Sequence, residues 1–448
     1  MIKNSSVFEK DPIPKAVAKL ALPTVLSMIV AVLYNMVDTF FVGQIGDENQ
    51  VAAVSVATPV FLFFMAIGNI FGIGGSSFLS RALGEKQVDK VKHISSFCFY
   101  GGIVAGTLGG ILMLAFMKPI LESVGTSENT FGFAREYLTV IAYGGPLIVI
   151  SCAFSNLLRG EGSAKSAMFG MMSGTIANII LDPVFILPSF LGMGVAGAAI
   201  ATLIGNLFSI IIYVIHSVSK DSVLSLHIKN FRVSEGILFG VLTIGLPASI
   251  TNILMSLSNI IMNTQLVTYG DIPVAGMGIA MKANMLVVFV QMGIAMGVQP
   301  LIGYNYGAKN FSRMKSAMKF ALLLNIIAGL VLFAVYFLFT TPIVSIFMKD
   351  NPQVIEASAM ILRALMIASP VLGVLFVFNF TFQAMGKAIP SLTLAISRQG
   401  FIFMPMVFIL NSLFGLQGLI YAQPIADYVS VTMAVIMFLV MNRKLKSI

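Results

Sequence analysis

Charge is scarce in this sequence. Only 10% of its 448 residues are Asp, Glu, Lys or Arg, against roughly a quarter in an ordinary globular chain. Hydrophobic residues make up 58%. The 27 basic and 18 acidic side chains cannot cover the surface of a water-soluble fold of this length, so that class is excluded. Cysteine is nearly absent too. Cys98 and Cys152 are too few for a secreted disulfide scaffold, and both read as packing residues. No GxxxxGK[ST] phosphate loop occurs, so neither a nucleotide partner nor a cofactor is expected. The three histidines, His93, His216 and His227, fall at segment edges or in a linker rather than in an embedded relay. The net charge of +9 does not read as a nucleic-acid patch, because the basic residues are spread between apolar segments. A cleaved signal peptide is absent as well. Residues 1–14 are polar, and the apolar run from about Ala16 is too long for a signal core, so it reads as a retained anchor.

What is present is a series of long apolar runs. About 20 apolar residues cross a bilayer as helix. Twelve such stretches occur, at roughly 17–45, 52–81, 94–117, 134–157, 166–187, 194–217, 236–267, 273–305, 316–340, 357–383, 389–410 and 416–441. They are continuously apolar, which argues against alternating barrel strands. Alternate loops, starting with the N-terminal tail, hold 21 of the 27 basic residues; the opposite loops hold four, Lys118, Arg135, Lys349 and Arg363. That bias predicts both termini in the cytoplasm.

The chain also repeats itself at an offset of 222–226 residues. Leu22-Pro23 matches Leu246-Pro247, Gly84-Glu85-Lys86 matches Gly307-Ala308-Lys309, and Pro119 matches Pro342. Six spans per half is an even number, so both halves start on the same side and the repeat is parallel. The expected fold is all-α: a polytopic membrane protein of two six-helix bundles, 1–217 and 236–448, related by a pseudo-twofold along the membrane normal. A polar cytoplasmic linker, 218–235, joins them. Paired bundles of this kind are a transporter architecture; a duplicated membrane scaffold is the alternative.

Ionisable side chains inside spans are costly and call for a reason. Asp38 and Asp182 both lie about 10 Å below the edge of their spans at 1.5 Å per residue. Asn178 shares the Asp182 face one turn away, Thr202 lies at matching depth, and Tyr34 is one turn from Asp38. Two nearby carboxylates in a low dielectric cannot both ionise cheaply, so the pair suits uptake of a proton or small cation. Alternatively, Asp182 caps backbone before Pro183 and Asp38 faces a polar crevice. In the second half Lys282, Arg398 and Asp427 share a depth and have opposite signs, which suggests a structural salt-bridge cluster. Pro23 is a candidate hinge, although a static kink explains it equally. Paired glycines such as Gly101-Gly102 and Gly109-Gly110 suit close helix packing. The 28 Met and 36 Phe suit either an adaptable drug cavity or lipid-facing packing.

Three stretches together carry a family resemblance. They are Asn35-Met36-Val37-Asp38-Thr39-Phe40-Phe41-Val42-Gly43 after Leu22-Pro23, Ala177-Asn178-Ile179-Ile180-Leu181-Asp182-Pro183, and Gln299-Pro300-Leu301-Ile302-Gly303-Tyr304-Asn305-Tyr306-Gly307-Ala308. Over essentially its whole length the chain resembles the multidrug and toxic compound extrusion (MATE) family, in its bacterial DinF/MepA-like branch. The resemblance implies a secondary exporter rather than an enzyme, antiporting cationic amphiphilic drugs or dyes against protons or sodium. It implies a monomer of the bacterial cytoplasmic membrane, with lipid around it. The family's N-lobe cation site maps onto Asp38, Asn178, Asp182 and Thr202, with Tyr34 and Asn206 as further candidates. Asp38 and Asp182 would be the metal ligands if sodium is the ion. Some relatives carry acidic coupling residues in the C-lobe; Asn259 and Asn263 stand there here. Two rival readings are a lipid-linked oligosaccharide flippase, which would want more embedded bases, and an intramembrane aspartyl protease, whose Gly-x-Gly-Asp signature is absent.

Overall fold

The structure, a computed structural model, describes residues 5–234 and 236–446. Lys3 and the last linker residue, Glu235, lie outside them. Every regular element described is helical. In hydrocarbon an unpaired peptide group has no water to bond, so helices that satisfy their own backbone are the natural solution for a chain this apolar. The first half runs α1 (Ser5–Glu9), α2 (Ile13–Gly43), α3 (Glu48–Gly84), α4 (Val88–Ala115), α5 (Met117–Ser123), α6 (Glu128–Tyr143), α7 (Gly145–Gly160), α8 (Ala164–Ile186) and α9 (Gly194–Ser217). The second half runs α10 (Ile237–Val267), α11 (Asp271–Gly307), α12 (Phe311–Leu338), α13 (Thr340–Ser345), α14 (Pro352–Met366), α15 (Ser369–Ala384), α16 (Ala388–Ile396) and α17 (Phe403–Lys446).

Among the described residues, nine helical segments are long and apolar enough to cross a bilayer. Two bent pairs qualify jointly, α6 with α7 at 57° and α14 with α15 at 51°. One of the nine, Ala388–Arg443, has 56 residues. A straight helix of that length would measure about 84 Å, more than twice a hydrocarbon core. It is broken at Gly415, whose φ of 58° and ψ of −139° are not helical. With that segment counted as two crossings, the helices account for all twelve apolar stretches.

The bends have a local cause. Pro146 and Pro370 occupy the first turns of α7 and α15. A proline inside a continuous helix removes a hydrogen bond and clashes with the preceding turn, whereas at a helix start its missing N–H costs nothing. Each bent span is therefore two helices with proline opening the second. The start of α6 is fixed by a capping box of Ser127 and Thr130, and that of α14 by the Asn351 side chain, which accepts from the N–H groups of Gln353 and Val354.

The repeat is visible in the backbone. Helices α2 and α10 have 31 residues each, α3 and α11 have 37, and α4 and α12 have 28. Lys86 and Lys309, both just past a helix end, adopt left-handed φ values of 60° and 56°. That conformation is uncommon for any residue with a Cβ.

Contacts divide the chain into two compact units. The first holds the chain through Asp11, Leu26–Ser249 and Gly303–Lys309; the second holds Pro12–Val25, Ile250–Ile302 and the chain from Asn310 onward. Three of these boundaries fall inside helices, after Val25, Ser249 and Ile302. Each lies two residues beyond an internal proline, Pro23, Pro247 or Pro300. Helix backbone changes its packing partners where proline has interrupted the ladder.

In the first unit α3 meets the end of α11 through a reciprocal glycine contact. A Cβ on Gly84 would collide with the Tyr304 carbonyl oxygen, and one on Gly307 with the Arg81 carbonyl oxygen. Gly84 and Gly307 are repeat counterparts, and so are Arg81 and Tyr304. The linker is tied to the same unit. Buried Glu161 accepts from Ser222 Oγ at 2.9 Å and the Val223 N–H at 3.2 Å, and lies 2.9 Å from His216 Nε2. Ser95 and Ser96 donate to the Ser225 carbonyl, Tyr100 donates to that of Leu226, and Phe231 packs on Phe97 and Tyr100.

The glycine contact leads to a stability expectation. Gly84→Ala and Gly307→Ala should each cost about 1–3 kcal/mol through backbone overlap. Gly132→Ala, where a Cβ meets nothing within 4 Å, should cost nothing. Thermal unfolding of the three purified variants checks this; equal melting temperatures for Gly84→Ala and Gly132→Ala would refute the contact.

Candidate functional site

Helices α8 and α9 touch backbone to backbone, and this contact positions the site. A Cβ on Gly205 would stand 2.7 Å from the Gly174 carbonyl oxygen and 3.1 Å from Asn178 Cβ. Two facing glycines thus let the helices close to a distance at which short polar side chains meet. One turn from Gly174, Asn178 Nδ2 donates to Thr202 Oγ1 on α9 at 3.4 Å. Tyr34 on α2 brings its hydroxyl to the same Thr202 oxygen, also at 3.4 Å. Thr202 is therefore the joint between α2, α8 and α9.

Asp182 lies one turn beyond Asn178 on α8. It is 0% exposed, and neither carboxylate oxygen has a hydrogen-bond partner. Asn178, 3% exposed, leaves its Oδ1 unpartnered as well. Asp38 on α2 is half-buried and within electrostatic reach of Asp182. Asp182 caps no backbone group before Pro183; the Pro183 carbonyl is instead used by the Leu187 N–H at 3.3 Å. A buried ionised carboxylate without donors is too costly to stand alone, so such a group carries a proton or holds a cation. The available atoms are all oxygens: two carboxylates, the Asn178 amide oxygen and two hydroxyls. An oxygen-only set suits a proton or a hard cation such as sodium, not a metal that prefers nitrogen or sulfur.

The remaining sequence candidates fall elsewhere. Asn206 donates its amide to the Thr202 carbonyl of its own helix at 2.9 Å, one turn from the group. Pro23 lies on the stretch of α2 that packs with the second unit, whereas Asp38 lies on the stretch that packs with the first. Tyr137 on α6 was not among the sequence candidates, yet it sits within electrostatic reach of both aspartates. Counting from the start of its apolar run places Tyr137 near the membrane edge. Its helix begins at Glu128 and is one half of a bent span, a geometry that residue count along the run does not convey.

In the second unit Arg398 occupies a π-helical turn, Ser397–Phe401, between α16 and α17. Its Nε is 2.7 Å from Asp427 Oδ1, and Gln423 donates to that same oxygen at 2.9 Å. The guanidinium also lies over Phe376, 5.4 Å from the ring centre. Lys282 stands apart from this pair: it is exposed on α11 and makes no ion pair among the described residues. Equal depth along the chain fixes the height of a side chain, not the direction in which its helix turns it.

Known proteins share this architecture. The MatE family profile matches residues 23–184 and 247–409. Multidrug export protein MepA of Staphylococcus aureus (strain NCTC 8325 / PS 47) is 32% identical over 420 residues, spanning 94% of this chain and 92% of that protein. The protein of that name from Staphylococcus haemolyticus (strain JCSC1435) is 31% identical over 97% of this chain and 94% of its own length. A crystal structure of MATE in complex with MaL6 superposes with a TM-score of 0.94 at 27% identity and covers both chains fully. An outward-facing multidrug resistance MATE family transporter of the MOP superfamily gives 0.92 at 28% identity, covering 99% of this chain and 98% of that one.

The buried ion pair sets a second stability expectation. Arg398→Met or Asp427→Leu alone leaves one charge unpaired and should cost about 3–5 kcal/mol, whereas the double substitution should recover most of that loss. Lys282→Gln should be neutral. Melting temperatures of the four variants check this; additive losses in the double variant would show that the two charges do not act as a pair.

Proposed function

Since the chain belongs to the MatE family, we propose that this multidrug efflux transporter is an antiporter coupled at the Asp38–Asn178–Asp182–Thr202 group. Its exchanged ion is a proton or sodium, and its cargo is cationic and amphiphilic. Two lobes, 1–217 and 236–448 with the linker 218–235 between them, rock against one another to alternate access, and both termini lie in the cytoplasm of a bacterial cell. Pro23 serves as the hinge through which the state of Asp38 reaches the first stretch of α2.

The observation that carries this reading is the bare carboxylate. Asp182 is fully buried with both oxygens unpartnered, beside an unpartnered Asn178 oxygen and within reach of Asp38. A purely structural aspartate at such a place would be bonded. Negative charge there attracts an organic cation, and a proton or sodium ion neutralises the same charge. The two ligands therefore favour different states, which is what exchange requires. Tyr34 meets the Thr202 hydroxyl from α2, Tyr137 on α6 lies within electrostatic reach of both aspartates, and Asn206 braces Thr202 through its backbone.

Asp38→Asn and Asp182→Asn should each abolish dye efflux from proteoliposomes under imposed proton and sodium gradients, while insertion and folding persist. Wild-type efflux in either variant would remove the coupling assignment. Drug Kd for the wild type should rise as pH falls, because protonation removes the negative charge that attracts the drug. Asp38→Asn should flatten that slope, and a pH-independent wild-type Kd would place coupling elsewhere.

A further inference from the structure

The transport reading leaves one strongly basic surface unused. The loop after α3, the first turns of α4 and the linker enclose two adjoining cavities of about 480 and 590 Å³, which share Asp89 and His93 in their walls. Their walls carry four lysine and arginine side chains, Lys86 and Lys90 in one and Lys92 and Arg232 in the other, against the single acid Asp89. We propose that this groove binds the phosphate headgroup of an anionic phospholipid.

Four observations carry the assignment. First, the far wall of the groove is built rather than loose. His93 Nδ1 lies 2.8 Å from the Asn230 carbonyl oxygen, Ser225 is buried and exchanges hydrogen bonds with Ser95, and Asn230 Nδ2 donates to Ser225 Oγ at 2.7 Å. Second, the linker that forms this wall exposes both apolar and basic residues beside the groove. Ile228 is 61% and Val233 48% exposed, beside exposed Lys229 and Arg232. Apolar tips next to basic side chains are what a chain lying at the headgroup–acyl boundary presents. Third, Lys86 holds a left-handed φ of 60° at a helix end where glycine would sit without strain. Its repeat counterpart Lys309 keeps the same conformation, so the strain belongs to the duplicated scaffold, and at this helix end it sets a base rather than a glycine in the groove wall. Fourth, the one acid is weakly held. Asp89 and Lys92 form an exposed pair at 2.9 Å, which a phosphate can displace. Cavities of this size accommodate a glycerophosphate headgroup, and the acyl chains would extend along the apolar surface beside it.

The test is titration of the full-length, detergent-solubilised protein with short-chain phosphatidylglycerol, followed by tryptophan-independent calorimetry. Phosphatidylcholine and inorganic phosphate form parallel arms. Phosphatidylglycerol should bind at least tenfold more tightly than phosphatidylcholine. Each basic residue near the surface is worth about fivefold, so Lys86→Gln/Lys92→Gln/Arg232→Gln should lose about a hundredfold and reduce the salt dependence. Lys86→Arg and Lys92→Arg should each retain binding. Lys86→Gly separates folding from binding: relief of the left-handed strain should raise the melting temperature while phosphatidylglycerol affinity falls. Equal affinity for the two lipids, or an unchanged Kd in the triple variant, overturns the proposal. Inorganic phosphate binding as tightly as phosphatidylglycerol overturns the lipid assignment in favour of a soluble phosphate.

Discussion

A peptide group surrounded by hydrocarbon must find its hydrogen-bond partner inside the protein. That constraint makes every described element helical and also makes each interruption of a helix informative. Pro146 and Pro370 convert two spans into bent pairs. Pro23, Pro247 and Pro300 each precede by two residues a place where a continuous helix passes from one compact unit to the other. Proline removes a rung of the ladder, and the backbone is freest to redirect where a rung is missing. The first stretches of α2 and α10 therefore pack with the unit opposite to the one that holds the rest of their helix.

Glycine acts in the complementary way. Where helices cross without a Cβ between them, backbones touch and short side chains reach across. The Gly174–Gly205 contact is what puts Asn178 on Thr202. The reciprocal Gly84–Gly307 contact repeats the same device at counterpart positions of the two halves. Duplication thus preserved the scaffold: helix lengths, cap conformations and glycine crossings. The embedded charges diverged. One unit holds Asp182 with both oxygens bare and Asp38 within electrostatic reach, and the other holds a compensated Arg398–Asp427 pair. A compensated pair takes part in little exchange with solvent ions, whereas an uncompensated carboxylate demands one.

Much of this was legible beforehand because it depends on one-dimensional quantities. Apolar run length sets the number of crossings, and the repeat offset sets which helices of the two halves correspond in length. Residue count along a helix sets depth, which brought Asp38, Tyr34, Asn178, Asp182 and Thr202 into one list. Depth failed where a second coordinate mattered. Residue count groups Lys282 with Arg398 and Asp427, but Lys282 is exposed and makes no ion pair among the described residues, and Tyr137, on a bent span, lies within electrostatic reach of both aspartates. The linker looked like a polar tether, yet Glu161, Ser95 and Tyr100 bind it to the first unit through bonds spanning 60 to 130 residues of sequence.

Composition and periodicity alone therefore settled an all-helical, twelve-crossing membrane chain with an acidic pair in its first half, because bilayer thickness and helix rise act residue by residue along the chain. Which of those polar side chains face one another was settled by packing. Helix azimuth, proline bends and glycine contacts arise from neighbours distant in sequence. Whether a carboxylate is left bare, as Asp182 is, or answered, as Asp427 is, depends on atoms that only the folded chain brings within 3 Å.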